Sequence, residues 1–151
     1  MNTPATLDHA GIAALIPHAG TMCLLDRVEA WDAQRIRCIA GNHRDRAHPL
    51  RSASGLLASA AIEYAAQAAA VHGGLQARAT GSSAAPGFLA SARAVTLHRL
   101  RLDDLAGELA VETDHLAGDG RQLLYAFKLT HAGEPVAEGR LAVVLDSPLP
   151  A

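Results

Sequence analysis

Residues 56–71 read LLASAAIEYAAQAAAV, a stretch that is apolar except at Ser59, Glu63 and Gln67. These three residues recur at intervals of four, so the stretch predicts a helix with one narrow polar stripe. A helix that is apolar around the rest of its surface is normally enclosed by protein. A carboxylate there needs a partner or a proton, because burying an unpaired charge is costly. We therefore expect Glu63 to be either a structural acid paired with an arginine such as Arg93, or a catalytic acid.

Segments on both sides of this helix predict the strands of one sheet. Before it, residues 22–31 and 35–43 predict a hairpin around a turn at 32–34. After it come four strand candidates joined in part by short glycine-containing turns, which require antiparallel pairing: 87–99, 107–116, 121–131 and 135–145. The second of these alternates, with Leu109 and Val111 predicted to face inward. The order predicts an α+β fold in which an antiparallel sheet wraps around one long central helix.

Local signals predict where the helices begin and end. A short first helix is expected over residues 8–16, capped by its aspartate and closed by Pro17. Ser54 is predicted to cap the long helix, and the glycine pair at 73–74 is predicted to end it. Residues 76–86 are small, polar and turn-prone, so they predict a flexible loop.

Composition limits the classes of function. With 151 residues, half of them hydrophobic, the chain is predicted to form a single domain over residues 1–151. The formal charge of −2 and the few aromatic residues argue against a nucleic-acid partner. Cys23 and Cys38 show no metal or redox spacing and are predicted to be core residues in a reducing compartment. No leader or membrane-spanning stretch is recognisable, so we expect a cytoplasmic protein with no membrane partner.

Three stretches of the chain, taken together, resemble one known family. They are IPHAGTMCLLDRV at 16–28, HPLRSASGLLASAAIEYAAQ at 48–67 and PGFLASARAV at 86–95. Each is similar to a segment of the hotdog-fold β-hydroxyacyl-(acyl-carrier-protein) dehydratases. The PLR and IEYAAQ wording most resembles the branch associated with aryl polyenes and related pigments. The chain departs from the dehydratases of central fatty-acid synthesis by having Ala47-His48-Pro49-Leu50 and Leu57-Ala58 where they typically show Gly-His-Phe-Pro and Pro-Gly.

The resemblance implies a site that removes water from a β-hydroxyacyl thioester. His48 would be the base that takes the α-proton, and Glu63, kept protonated by apolar surroundings, would be the acid for the leaving hydroxyl. Gln67 would orient Glu63 or a water. The backbone N–H of Ala58 would bind the thioester oxygen near the start of the helix. No cofactor and no metal are implied. The expected partners are an acyl carrier protein bearing the acyl-phosphopantetheine substrate and a second subunit, in a homodimer or a hotdog heterodimer, with the histidine and the acid contributed by different subunits.

Alternatives remain for the function and for individual residues. The chain could be a hotdog thioesterase in which Glu63 activates water or attacks the thioester. It could also be a non-catalytic hotdog subunit that pairs with an active dehydratase. His48 could be an ordinary loop histidine or, with His43, part of a metal site. Ser59 is interpreted as a packing residue with its hydroxyl bonded to the helix backbone. Two arginine groups could meet an acidic carrier or a phosphate: Arg44, Arg46 and Arg51, and Arg93, Arg99 and Arg101.

Overall fold

The computed structural model describes residues 6–16, 22–81, 87–119 and 121–145. These residues form two α-helices and seven strands. In chain order the elements are β1 (Leu7–Asp8), α1 (His9–Ala13), β2 (Arg27–Trp31), β3 (Arg35–Ala40), α2 (Ala61–Ala79), β4 (Gly87–Leu97), β5 (Leu109–Gly118), β6 (Gln122–His131) and β7 (Glu134–Leu145). Short 3-10 turns lie at Asn42–Arg44 and Ala58–Ala60.

The strands form one sheet in the order β1-β2-β3-β5-β6-β7-β4, with every neighbouring pair antiparallel. The predicted hairpin is present as β2 and β3, and Asp32 closes its turn by accepting hydrogen bonds from the N–H groups of Gln34 and Arg35. The predicted inward residues Leu109 and Val111 are buried. Residues that share a register row share a face of the sheet. The row Cys38, Val111, Leu129 and Ala137 faces the core and is fully buried.

Helix α2 lies against the core face of this sheet and packs mainly on β3, β5 and β6. Tyr64, Ala65, Ala68 and Val71 on the helix are fully inaccessible. Alanine favours helix and adds little bulk, so the strands can approach the helix axis closely. This arrangement is the predicted α+β architecture, a sheet curved around one central helix.

The two ends of α2 differ from the prediction. The helix begins at Ala61 after the 3-10 turn and not after Ser54, because Gly55 turns the chain with φ of +97° and Leu57 is extended, bridging to Arg101. It also continues through the glycine pair at 73–74 to Ala79. A Cβ on Gly74 would stand 3.4 Å from the Leu15 side chain, so tertiary packing holds this part of the helix in place despite the low helix propensity of glycine.

The first helix is shorter than predicted, although its cap is correct. The Asp8 carboxylate accepts a hydrogen bond from the Gly11 N–H at 2.9 Å. The helix ends at Ala13 and does not extend to Ile16. Residues 76–79, predicted as part of a loop, belong to α2 instead. The predicted stop at Pro17 and residues 82–86 of the predicted loop lie outside the described residues. None of the helices in the described ranges is both long enough and apolar enough to cross a membrane.

Candidate active site

An open groove of about 460 Å³ lies beside the start of α2. One wall comes from the loop that precedes the helix and the other from the first turns of the helix itself. The lining residues are Leu50, Ser52, Gly55, Leu57, Ser59, Ala60, Ile62 and Glu63. Most of this surface is apolar, and Glu63 is the one acidic residue among the described residues of the lining. Such a composition suits an acyl chain that carries a polar reacting centre.

Glu63 is half-buried and is oriented by Gln67, one helical turn further on. The Gln67 side-chain amide donates to the Glu63 Oε1 at 3.4 Å and to the Met22 carbonyl at 2.7 Å. Its Oε1 accepts the Leu24 N–H at 2.9 Å. Gln67 is almost completely buried and has partners at both ends of its amide, so it both fixes the segment before β2 and positions the carboxylate.

Ser59 completes the polar stripe and is exposed in the groove, so its interpretation as a packing residue is wrong. The neighbouring Ala58 N–H, predicted to bind the thioester oxygen, donates to the Leu100 carbonyl at 3.0 Å. The Ala60 N–H donates to the Leu57 carbonyl at 3.0 Å. Between them, the Ser59 N–H has no backbone acceptor in the described ranges. The free donor at the start of the helix therefore lies one residue later than predicted.

His48 is buried and belongs to a chain of three hydrogen bonds. Its Nδ1 accepts the Leu50 N–H at 3.1 Å, and its Nε2 lies 2.9 Å from the Tyr64 hydroxyl. That hydroxyl donates to the Asn42 Oδ1 at 2.6 Å. One proton arrangement satisfies all three bonds, with neutral His48 protonated on Nε2 and donating to Tyr64. Burial lowers the pKa of His48, and burial raises the pKa of Tyr64, so both groups stay neutral near pH 7.

The predicted site residues therefore fall into two groups. Glu63 lines the groove with Ser59, and Gln67 supports it from the core. His48 and Ala58 do not line the groove, and both have their polar atoms engaged by other residues. Sequence reasoning missed the link from His48 to Tyr64 and Asn42, because hydrogen bonds between residues 16 and 22 positions apart leave no periodic signal in the sequence.

The loop wall of the groove is held by an ion-pair cluster. Asp103 accepts hydrogen bonds from the Arg101 guanidinium at 2.7 and 2.8 Å and lies 3.4 Å from the Arg51 Nη2. The hydrogen bond from Arg101 is the main cause of a strongly lowered pKa for Asp103. Arg51 and Arg101, considered above as contacts for an acidic carrier, are thus already engaged with a carboxylate of the chain itself.

The histidines that could have bound a metal are engaged as well. The His43 Nε2 donates to the Leu105 carbonyl at 2.7 Å, and burial lowers its pKa. Within the described ranges, no group of three or more His, Cys, Asp or Glu residues could hold a metal ion.

A helix enclosed by an antiparallel sheet, with an acid in an apolar groove at the start of the helix, defines the hotdog class of acyl-thioester proteins. The chain belongs to the ApeP-like family, described as ApeP dehydratase, whose model matches residues 10–149. The resemblance drawn from the three sequence stretches is therefore confirmed, and the chain is a hotdog dehydratase of the aryl polyene type.

Solved structures agree on the fold. The chain is similar to the dehydratase heterocomplex ApeI:P from Xenorhabdus doucetiae, with a TM-score of 0.81 and 24% identity over 90% of this chain and 91% of that one. A mutant thioesterase from Pseudomonas aeruginosa gives a TM-score of 0.59 and 16% identity, covering 79% of each chain. AziG from S. sahachiroi gives 0.54 and 15%, covering 87% of this chain and 97% of that one. No curated protein matches the chain.

Proposed function

We propose that the chain removes water from β-hydroxyacyl thioesters carried by an acyl carrier protein, with Glu63 as the acid. The observation that carries this proposal is the position of Glu63. Its carboxylate stands in an apolar groove beside the start of a helix, is oriented by Gln67, and lies on the same wall as Ser59. Family membership supports the reaction class, whereas the structural likeness to thioesterases supports only the fold.

The chemistry follows from what the groove can supply. A base removes the α-proton of the acyl chain while the thioester oxygen gains negative charge. The Ser59 N–H and the partial positive charge at the start of the helix would stabilise that oxygen. Glu63 then donates its proton to the β-hydroxyl, the C–O bond breaks, and water leaves with an α,β-unsaturated thioester. Returning the proton from the base to Glu63 restores the site.

The base that removes the α-proton comes either from this chain or from a second subunit. The prediction that His48 is the base, acting on a substrate shared with Glu63 of another subunit, stays a prediction. The hydrogen bonds of His48 favour a second arrangement, because its Nδ1 and Nε2 are both engaged inside the chain. For His48 to act as the base, one of its ring nitrogens must first give up its hydrogen bond, either the one to the Tyr64 hydroxyl or the one from the Leu50 N–H. A heterodimer in which the other subunit supplies a histidine avoids this exchange.

The open edge of the sheet at β4 is evidence in favour of a dimer. β4 is the last strand of the sheet and offers 11 residues on its open side. Leu89 and Leu97 at its two ends are 40% and 43% exposed. A long apolar edge of this kind presents unpaired backbone N–H and C=O groups to another strand. We propose that a second hotdog subunit pairs there, as a heterocomplex comparable to ApeI:P.

The test of Glu63 uses one isosteric change. Glu63→Gln keeps the size of the side chain and its bond to Gln67 but removes the acid. Dehydration of a β-hydroxyacyl carrier protein should fall by about 10²-fold or more. Glu108→Gln, at the exposed ion pair with Arg27, is the matched control and should retain activity. Full activity in the Glu63→Gln protein would rule out its role as the acid.

The source of the base is tested with the same assay. The chain is assayed alone and after co-purification with the other subunit of a heterocomplex comparable to ApeI:P. His48→Gln retains a donor and an acceptor but cannot act as a base. If His48 is the base, this variant is folded and inactive in both preparations. If the partner supplies the base, wild-type chain is active only in the co-purified preparation, and His48→Gln keeps most of that activity.

A further inference from the structure

The outward charges of the sheet follow its strand register. Arg37, Glu112, Lys128 and Glu138 stand opposite one another in turn across β3, β5, β6 and β7, so their signs alternate. Arg37 lies 3.4 Å from Glu112 as an ion pair. Opposite charges placed directly across a strand pair stabilise that pair. Each charge in this row therefore faces an opposite charge within the chain itself.

A neighbouring outward row breaks the pattern at Arg93 and Arg140. The row contains Arg35, Asp114, Ala126, Arg140 and Arg93 across β3, β5, β6, β7 and β4. Arg35 is paired with Asp114 at 2.5 Å. Beyond Ala126, however, Arg140 and Arg93 lie directly opposite each other, and neither has an ion-pair partner in the part of the chain that the structure describes. Like charges in this position destabilise the strand pair.

Both arginines line one cavity of about 310 Å³. Ser91 and Gln122 add neutral hydrogen-bonding groups to it. The rest of the lining is apolar: Leu124, Leu141 and Ala142. Leu124 is 40% exposed, and Val144, opposite Gln122 in the register, is 42% exposed. The cavity thus combines two unpaired guanidinium groups with accessible aliphatic surface.

The backbone of β4 is distorted at the same place. Ala94, the residue after Arg93, has φ of +52°, a left-handed conformation that side chains with a Cβ seldom adopt. The register with β7 shifts between Arg93 and Thr96, which marks a bulge. Bulges redirect the side chains beside them. β4 is therefore irregular beside Arg93, whose guanidinium has no ion-pair partner among the described residues.

We propose that Arg93 and Arg140 together bind a side-chain carboxylate of a protein partner that lies across β4 and β7. A carboxylate fits the planar guanidinium fork and can bridge two such groups. The exposed Leu124 and Val144 fit the apolar surface of a protein, since arginine beside aliphatic surface is typical of interfaces. A second copy of this chain that paired through its own β4 would bring no carboxylate from that strand, because residues 87–97 contain neither Asp nor Glu. The site is independent of the reaction at Glu63.

The first experiment measures thermal unfolding of the full chain at low salt. Without a bound anion, Arg93→Gln or Arg140→Gln removes the repulsion and should raise Tm by about 1–3 °C. The Tm of the double variant should rise by less than the sum of the two single increases, because either substitution alone already removes the repulsion. A short peptide of alternating Glu and Val should stabilise the wild-type chain, and each single variant should bind it at least tenfold more weakly. Arg78→Gln, an exposed arginine in the last turn of α2, is the control and should bind the peptide like wild type.

Three results would overturn the proposal. The first is a Tm gain in the double variant that equals the sum of the two single gains, together with equal peptide binding by all variants. The second is tighter binding of inorganic phosphate than of the peptide at equal ionic strength, which would assign the cavity to a phosphate ester. The third is self-association of the wild-type chain, measured by light scattering, that Arg93→Gln abolishes, because the occupant would then be a second copy. None of these measurements requires substrate, so they are separate from the tests of dehydration.

Discussion

His48 and His72 are two buried histidines that each share a hydrogen bond with a buried tyrosine. His48 bonds to Tyr64 beside the groove, and His72 bonds to Tyr125 at 3.0 Å in the other half of the core. The resemblance to the dehydratase family identified His48 as a candidate base, but it could not reveal that the side chain turns inward. Burial and partners depend on the tertiary fold, whereas Glu63 and Gln67 were found because helical periodicity places them on one stripe.

The two tyrosines allow a matched test of what the His48 bond does. Tyr64→Phe and Tyr125→Phe each remove one buried hydroxyl, and each should lower the free energy of unfolding by about 1–3 kcal/mol. Tyr64→Phe should also reduce dehydration, because His48 anchors the loop whose Leu50 and Ser52 line the groove. Tyr125→Phe should leave activity intact. The measurements are urea denaturation and steady-state kinetics; equal losses of activity in both variants would contradict a specific role for the His48 bond.

At the scale of elements, the sequence predicted the helix and the strands better than it predicted the ends of α2. Apolar and polar residues that alternate every two positions predict a strand, and those that recur every four positions predict a helix. Such patterns extend over many residues, so they indicate the type of element reliably. Helix ends depend on single contacts. Gly55 has the left-handed φ that glycine favours, but it serves the turn before the groove and not a helix end. The turn is fixed by residues far along the chain: the Leu102 N–H donates to the Leu56 carbonyl at 2.8 Å, and the Arg101–Asp103 pair packs against Gly55.

Gly55→Ala tests this docking of the loop. A Cβ at this position would collide with the Arg101 guanidinium and stand 2.5 Å from the Asp103 Oδ2. Gly107→Ala is the control, because Gly107 has a similar φ of +88° but open space around it. Both variants bear the strain of a left-handed alanine, roughly 1–3 kcal/mol. Gly55→Ala should lose further stability and raise KM for the thioester, since the groove wall must move. Equal stability and equal KM in the two variants would show that the loop adapts without cost.

At the scale of the whole molecule, the described part of the core contains three buried histidines, His43, His48 and His72. Burial is the main cause of a lowered pKa for each of them. The unfolded chain therefore binds protons at a higher pH than the folded one does. The resulting stability is fully present above the unfolded value of about 6.5 and is lost as the pH falls below it. Each proton taken up on unfolding contributes a slope of about 1.4 kcal/mol per pH unit, so three histidines together make the fold markedly sensitive to acid.

Urea denaturation at pH 7.5, 6.5 and 5.5 checks this expectation. The free energy of unfolding should change little between the first two values and fall steeply between the last two. His43→Gln should reduce the slope of the unfolding free energy against pH by up to the contribution of one proton, about 1.4 kcal/mol per pH unit. The reason is that the His43 Nδ1 is buried without a partner among the described residues, so its protonation in the folded chain is unfavourable. Stability that is constant or rises from pH 6.5 to 5.5 would mean that the folded chain binds at least as many protons over this range as the unfolded chain, so the three buried histidines would not have lowered pKa values. That result would also remove the neutral His48 on which the hydrogen-bond chain to Tyr64 and Asn42 depends.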